Sequence, residues 1–116
     1  MKVLKQDKLN SIRPYYNVHG IYDISDIKSK SIGHFFDKGA MRFFNSRILS
    51  DVFPSTKCVY FVTSEQYDYK SPRLFTVRSF DLTTKSIETV GEFQEYATRA
   101  QAISAAINLA YEGLTN

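Results

Sequence analysis

From Thr98 to Gly113 the chain reads TRAQAISAAINLAYEG, and this segment most narrows what the whole can fold into. Thr98 with Gln101 three residues on is a capping box, in which each side chain can satisfy an amide that the first helical turn leaves unpaired. The alanine-rich run that follows has strong helix propensity and carries to Tyr111, and Gly113 suits the left-handed residue that commonly ends a helix. Gln101, Ser104, Asn108 and Glu112 fall on one narrow stripe, while Ala102, Ile103, Ala106, Ile107 and Ala110 cover the rest. Small side chains let such a helix lie close on a sheet.

The sheet is legible just upstream. Cys58 to Ser64 sets Val59 and Phe61 against Tyr60 and Val62, so both faces are apolar and the strand is expected at the centre. Glu65 to Pro72 is polar, carries tyrosines and ends in proline, which reads as a long hairpin loop. Arg73 to Asp81 sets Phe75 and Val77 against Leu74, Thr76, Arg78 and Phe80 as a second strand, and Leu82 to Lys85 is a turn. Ile87, Thr89 and Phe93 share one face of a third strand, interrupted at Gly91.

Upstream the signals thin out. Ser25 can cap a short helix running towards Ile32, with Asp26 favouring its positive end and Gly33 its stop. Asp37 can cap a further turn or two in which Met41, Phe44 and Ile48 fall at helical spacing. Arg42, Phe44 and Ser46 alternate as a strand would, and the helix is the preferred reading. Residues 1–22, broken by Pro14 and Gly20, read as an N-terminal arm with one short extended piece. The expected fold is therefore α+β: one or two short N-terminal helices, a three-stranded antiparallel meander and a C-terminal helix packed on it. It forms two layers in one domain, residues 23–116.

Composition bounds the function more than it names it. Hydrophobic residues at 43% and charged residues at 23% are ordinary for a globular chain of 116 residues, which argues against general disorder. Nine Phe and eight Tyr exceed what a small core needs, so some rings are expected on a binding surface. The net charge of +3 hides a division: residues 1–58 carry +5 and residues 59–116 carry −2. Cys58 is the only cysteine, so no internal disulfide can form and a reducing compartment fits. With no signal-peptide core and no apolar stretch of ~20 residues, the expected location is the cytoplasm, without a membrane partner.

No reaction has its residues. The glycines are scattered singly, so no phosphate-cradling loop is present. His34 and Asp37 offer two metal ligands without a third, and no cofactor is expected. Cys58 lies in an apolar strand, where burial makes a thiol inert, and Glu92 and Glu95 read as solvating a strand end. The chain is not expected to be an enzyme. Two features remain as binding candidates. In Arg42-Phe43-Phe44-Asn45-Ser46-Arg47, guanidiniums flank two rings; it reads as an ordinary buried Phe44 with solvated arginines, or as an edge where Arg42, Phe43 and Arg47 hold phosphate or carboxylate. In the hairpin, Tyr67, Tyr69, Lys70 and Arg73, with Arg78 on the strand beyond, suit base stacking or a protein hot spot as well as an idle loop.

The stretch from Asp26 to Ala110 resembles a family of small uncharacterised proteins found in phages and other mobile elements. The resemblance rests on His34-Phe35-Phe36, Met41 to Arg47, Tyr60-Phe61-Val62-Thr63-Ser64-Glu65, Thr76-Val77-Arg78-Ser79-Phe80 and Phe93-Gln94-Glu95-Tyr96. The family has no assigned activity, so the resemblance implies origin more than mechanism. Joined to the missing catalytic set, the aromatic excess and the divided charge, it gives the expectation of a non-enzymatic accessory protein that binds and inhibits a host protein complex, such as an anti-phage nuclease of the CRISPR type or another nucleoprotein. The alternative is a small DNA- or RNA-binding module. Gly91-Glu92-Phe93 followed by Thr98 and the alanines also looks like the last strand and helix of plant three-strand-plus-helix DNA-binding domains, but Glu88 and Glu92 would repel phosphates there. The helix, three-strand, helix order of double-stranded RNA-binding domains fits too, without their basic start to the final helix. Either a monomer or a homodimer is compatible with these readings.

Overall fold

Val59 and Phe61 leave the central strand on one side and Val62 on the other, and each set is buried beneath different helices. The structure, a computed structural model, describes residues 4–32 and 45–114. In chain order these form α1 (Lys5–Ile12), α2 (Pro14–His19), α3 (Ile24–Lys30), β1 (Arg47–Pro54), β2 (Cys58–Glu65), β3 (Leu74–Asp81), β4 (Ile87–Val90) and α4 (Arg99–Gly113). The fold is α+β. The sheet is an antiparallel meander in the order β1-β2-β3-β4, and β2 pairs with β3 without interruption from Cys58 opposite Asp81 to Glu65 opposite Leu74.

One face of this sheet presents Phe53, Val62 and Val77, which form a core with Ile12 and with Ala102, Ala106, Ile107 and Ala110 of α4. The other presents Val52, Val59, Phe61 and Phe80 against Ile21, Ile24 and Ile27. Helical segments therefore cover both faces, and the expected two layers become three. The double-sided apolar pattern of β2 already required this, because neither of its faces can be left in water.

The sheet has four strands where three were expected. β1 was missed because its alternation is broken: the register with β2 shifts between Ile48 and Val52, and a bulge moves the following side chains out of simple period two. Ile48 consequently lies on a strand, not on the helix preferred for Met41, Phe44 and Ile48; the start of that segment, from Asp37, is outside the described residues. At the other edge β4 stops at Val90. Gly91 and Gln94 take left-handed conformations, φ 76° and 58°, so the chain turns and Phe93 leaves the sheet, 41% exposed. Tyr96 then returns to pair with Phe75 through hydrogen bonds of 2.8 and 3.0 Å.

The expected N-terminal arm contains two helices in place of an extended piece. Pro14 occupies the first turn of α2, where its fixed φ and missing amide are tolerated, and Gly20 ends that helix in a left-handed conformation. Ile12 and Ile21 are fully buried. Asp23, and not Ser25, caps α3: its carboxylate accepts from the Ser25 amide at 2.9 Å, and Asp26 reciprocates towards the Asp23 amide at 3.3 Å. Ser25 instead donates its hydroxyl to Asp23. In α4 the Thr98 hydroxyl accepts from the Gln101 amide at 3.2 Å, and the polar stripe is exposed as the sequence indicates. Gly113, however, is a helical residue and the cap is Leu114.

Candidate functional site

The two ends of the sheet are built differently. At one, the β1–β2 turn is locked to the end of α4: the Ser55 hydroxyl donates to the Ala110 carbonyl at 2.9 Å and the Thr56 hydroxyl to the Gly113 carbonyl at 3.0 Å. His19 Nε2 lies 2.6 Å from the Ser55 carbonyl oxygen. A cavity of about 280 Å³ opens here, lined by Lys57, Cys58 and Tyr60 among others. Burial pushes the Cys58 thiol up from its usual range, with the nearby Asp81 adding to the shift and a hydrogen bond with Tyr60 opposing it. Burial, and then that bond, push the Tyr60 hydroxyl up as well. Both groups stay protonated at neutral pH, so this cavity holds no thiolate nucleophile.

At the opposite end stands the β2–β3 hairpin, residues 66–73, and here the sequence candidates gather. One Asp68 carboxylate oxygen accepts from the Lys70 amide at 2.8 Å, the Ser71 amide at 2.9 Å and the Ser71 hydroxyl at 3.0 Å. These bonds hold the Asp68 carboxyl below its ordinary range, the Lys70 amide contributing most, so it stays ionised. Gln66 ties the base of the loop, donating to the Ser71 carbonyl at 2.9 Å and accepting from Asn45 at 3.2 Å. On this frame Tyr67 and Tyr69 are 74% and 83% exposed, and the Lys70 ammonium lies 5.6 Å from the Tyr69 ring centroid. Arg73 joins the hairpin to the chain before β1, donating to the Asn45 carbonyl at 3.0 Å. Exposed Arg47 begins β1 at the same end, opposite Ser64.

Of the candidate residues, the structure thus brings together Arg47, Tyr67, Tyr69, Lys70 and Arg73. Arg42 and Phe43 lie outside the described residues. Arg78 is elsewhere in kind: it is half-way along β3 with its side chain 12% exposed, 3.5 Å from the carboxylate of Glu65, which is 1% exposed. Arg78 Nε donates to the Thr63 hydroxyl at 3.1 Å and Nη1 to that of Thr89, while its guanidinium lies 5.6 Å from the Phe93 ring centroid. The Thr76 hydroxyl donates to Glu65 Oε1 at 2.5 Å and accepts from the Gln94 amide at 2.8 Å. Burial lowers the Arg78 pKa and the Glu65 charge opposes that. This cluster is a buried polar network that ties the 91–96 turn to the sheet, and it withdraws Arg78 from the surface.

Sequence reasoning missed the residues that build the hairpin frame, Asn45, Ser64 and Gln66, and the polar network around Glu65. Glu65 was detectable in one respect. It continues the alternation of Val59, Phe61 and Thr63, which places it on a covered face.

Among the described residues no group of three or more His, Cys, Asp or Glu side chains could hold a metal ion, and no helix is long and apolar enough to cross a membrane. The model of a family of unknown function (DUF7447) matches residues 20–107. The chain belongs to that family. The match begins at Gly20, ahead of α3, and ends at Ile107 within α4, so this family's shared portion contains the whole sheet and the hairpin. No curated protein and no solved structure matches the chain.

Proposed function

We propose that the protein works by binding, as a mobile-element accessory factor that attaches to a host protein complex and inhibits it, a CRISPR-type or other anti-phage nuclease being the class that the phage resemblance favours. Its contact surface is the hairpin end of the sheet. The observation that carries this reading is the exposure of Tyr67 and Tyr69 on a loop whose backbone is already fixed by Asp68, Gln66 and Arg73. Large rings held in place before contact lose little conformational entropy on binding and are typical anchors of protein interfaces.

A nucleic-acid module is the second reading, because tyrosines interleaved with Lys70, Arg73 and Arg47 can also stack bases beside phosphates. The −2 balance of residues 59–116 opposes wrapping by a polyanion and favours the protein partner. The test is to recover the tagged protein from its host with and without nuclease treatment, alongside a Tyr67→Ser/Tyr69→Ser variant. A protein partner retained after nuclease and lost from the variant supports the leading reading. A partner that disappears with nuclease supports the second.

A further inference from the structure

Arg47 and Arg73 converge on one strand position. Arg47 is the register partner of Ser64, and cross-strand partners share a face of the sheet. Arg73 reaches the same residue from the end of the hairpin, its Nη1 donating to the Ser64 hydroxyl at 2.9 Å and carbonyl at 3.1 Å as well as to the Asn45 carbonyl. Burial and then the neighbouring Arg47 charge lower the Arg73 pKa, as expected of two cations held close, and the Glu65 charge opposes them. Among the described residues neither arginine forms a salt bridge. Glu65, the nearest source of opposite charge, points from the other face and is paired with Arg78, and Asp68 is engaged by the hairpin amides. The fold thus assembles a doublet of like charge and orders one member through three hydrogen bonds, and among the described residues no carboxylate forms a salt bridge with either arginine.

We infer that Arg47 and Arg73 form a two-pronged seat for a carboxylate-bearing segment of the partner protein, with Tyr67 and Tyr69 packing on the apolar part of that segment. Guanidiniums suit this role because their planar forks match a carboxylate in two directions. A nucleic-acid track would need a stripe of cations following successive phosphates. Among the described residues the positive set here is short and is bounded by the ionised Asp68 within the same hairpin. The inference rests on the binding reading above and specifies its partner's chemistry.

Fluorescence anisotropy tests it with three labelled probes of equal length: a glutamate–leucine peptide, its glutamine–leucine counterpart, and oligothymidylate. The glutamate peptide should bind, the glutamine peptide should not, and Arg47→Gln, whose exposed side chain leaves the fold intact by thermal melting, should weaken binding about tenfold, the scale of one charged hydrogen bond. Arg73→Lys keeps the charge and loses the fork, and should weaken it as well. Peptide binding indifferent to Arg47→Gln, or oligothymidylate binding as tightly as the peptide, overturns the seat. Capture of the host partner separates the two levels. If Tyr67→Ser/Tyr69→Ser releases that partner and Arg47→Gln does not, the seat is wrong and the binding surface stands. If neither releases it, both fall.

Discussion

The Ser55 hydroxyl occupies the space that a β-carbon on Gly113 would need. The same hydroxyl is bonded to the Ala110 carbonyl at 2.9 Å, so it cannot swing aside without leaving a buried carbonyl unpaired. Gly113 is therefore required for close approach and not for a left-handed backbone. Gly113→Ala should destabilise the protein by ~1–3 kcal/mol, as overpacking does. In a Ser55→Ala background the same change should cost close to nothing, because alanine is the better helix former. Urea unfolding of the four-member cycle checks this. A cost that persists without the Ser55 hydroxyl would contradict the steric account.

Removing Arg78 leaves the Glu65 carboxylate buried, with Oε2 lacking any hydrogen-bond partner. Arg78→Met should destabilise by ~3–5 kcal/mol, the scale for breaking a buried pair on one side. Adding Glu65→Gln should recover much of that loss, because an amide carries no charge to strand and can keep the Thr76 contact. Equal stability of the single and double variants in chemical denaturation would show that the pair is solvated and unimportant.

What the sequence disclosed follows from how local each signal is. Thr98, Gln101 and the alanines specify α4 within a few turns, and the alternation from Val59 to Phe61 specifies a central strand within one element. β1 depends on a bulge between Ile48 and Val52 that only its pairing with β2 stabilises, so no local pattern announces it. Gly113 misled for a similar reason: its role is set by Ser55, which is distant in the chain. At the candidate site, the hairpin tyrosines were readable from polarity and Pro72. The convergence of Arg47 and Arg73 on Ser64 was not, because it requires the register of β1 on β2 and the path of the hairpin.

The segment before Asp23 should matter for folding. Ile12 is fully buried in the core beneath α4, and Lys8 bonds to Asn108 at 2.7 Å. Ile12→Ala should cost ~2–5 kcal/mol, as for other fully buried aliphatic truncations. Denaturant midpoints unchanged by that substitution would mean that α1 docks too weakly to count as part of the core.

Cys58 should behave as a packed small hydrophobe. Burial raises its pKa, so alkylation at neutral pH should be much slower than for a free thiol and should accelerate when the protein is unfolded. Cys58→Val should retain both fold and partner binding. Rapid labelling of the native protein would contradict the upward shift that burial gives the thiol.

Acid should weaken the fold through its turns and caps. Asp23 is held below its ordinary 3.8 chiefly by the Ser25 hydroxyl, Asp68 by the Lys70 amide and Asp81 by the Thr84 amide, while the Glu92 amide holds Glu95 below 4.5. For each, the folded-state pKa lies below the unfolded one, so the unfolded chain binds more protons as pH falls. The stabilisation is complete above the unfolded values and is lost as pH drops from ~4.5 through the depressed folded-state pKa values. Measured from neutral pH downwards, urea midpoints should stay level and then fall in that acid window. Asp23→Asn with Asp81→Asn keeps an acceptor at both turns and removes two titrations, so the fall should become shallower. An acid limb of unchanged steepness in that double variant would place the acid sensitivity on other carboxylates.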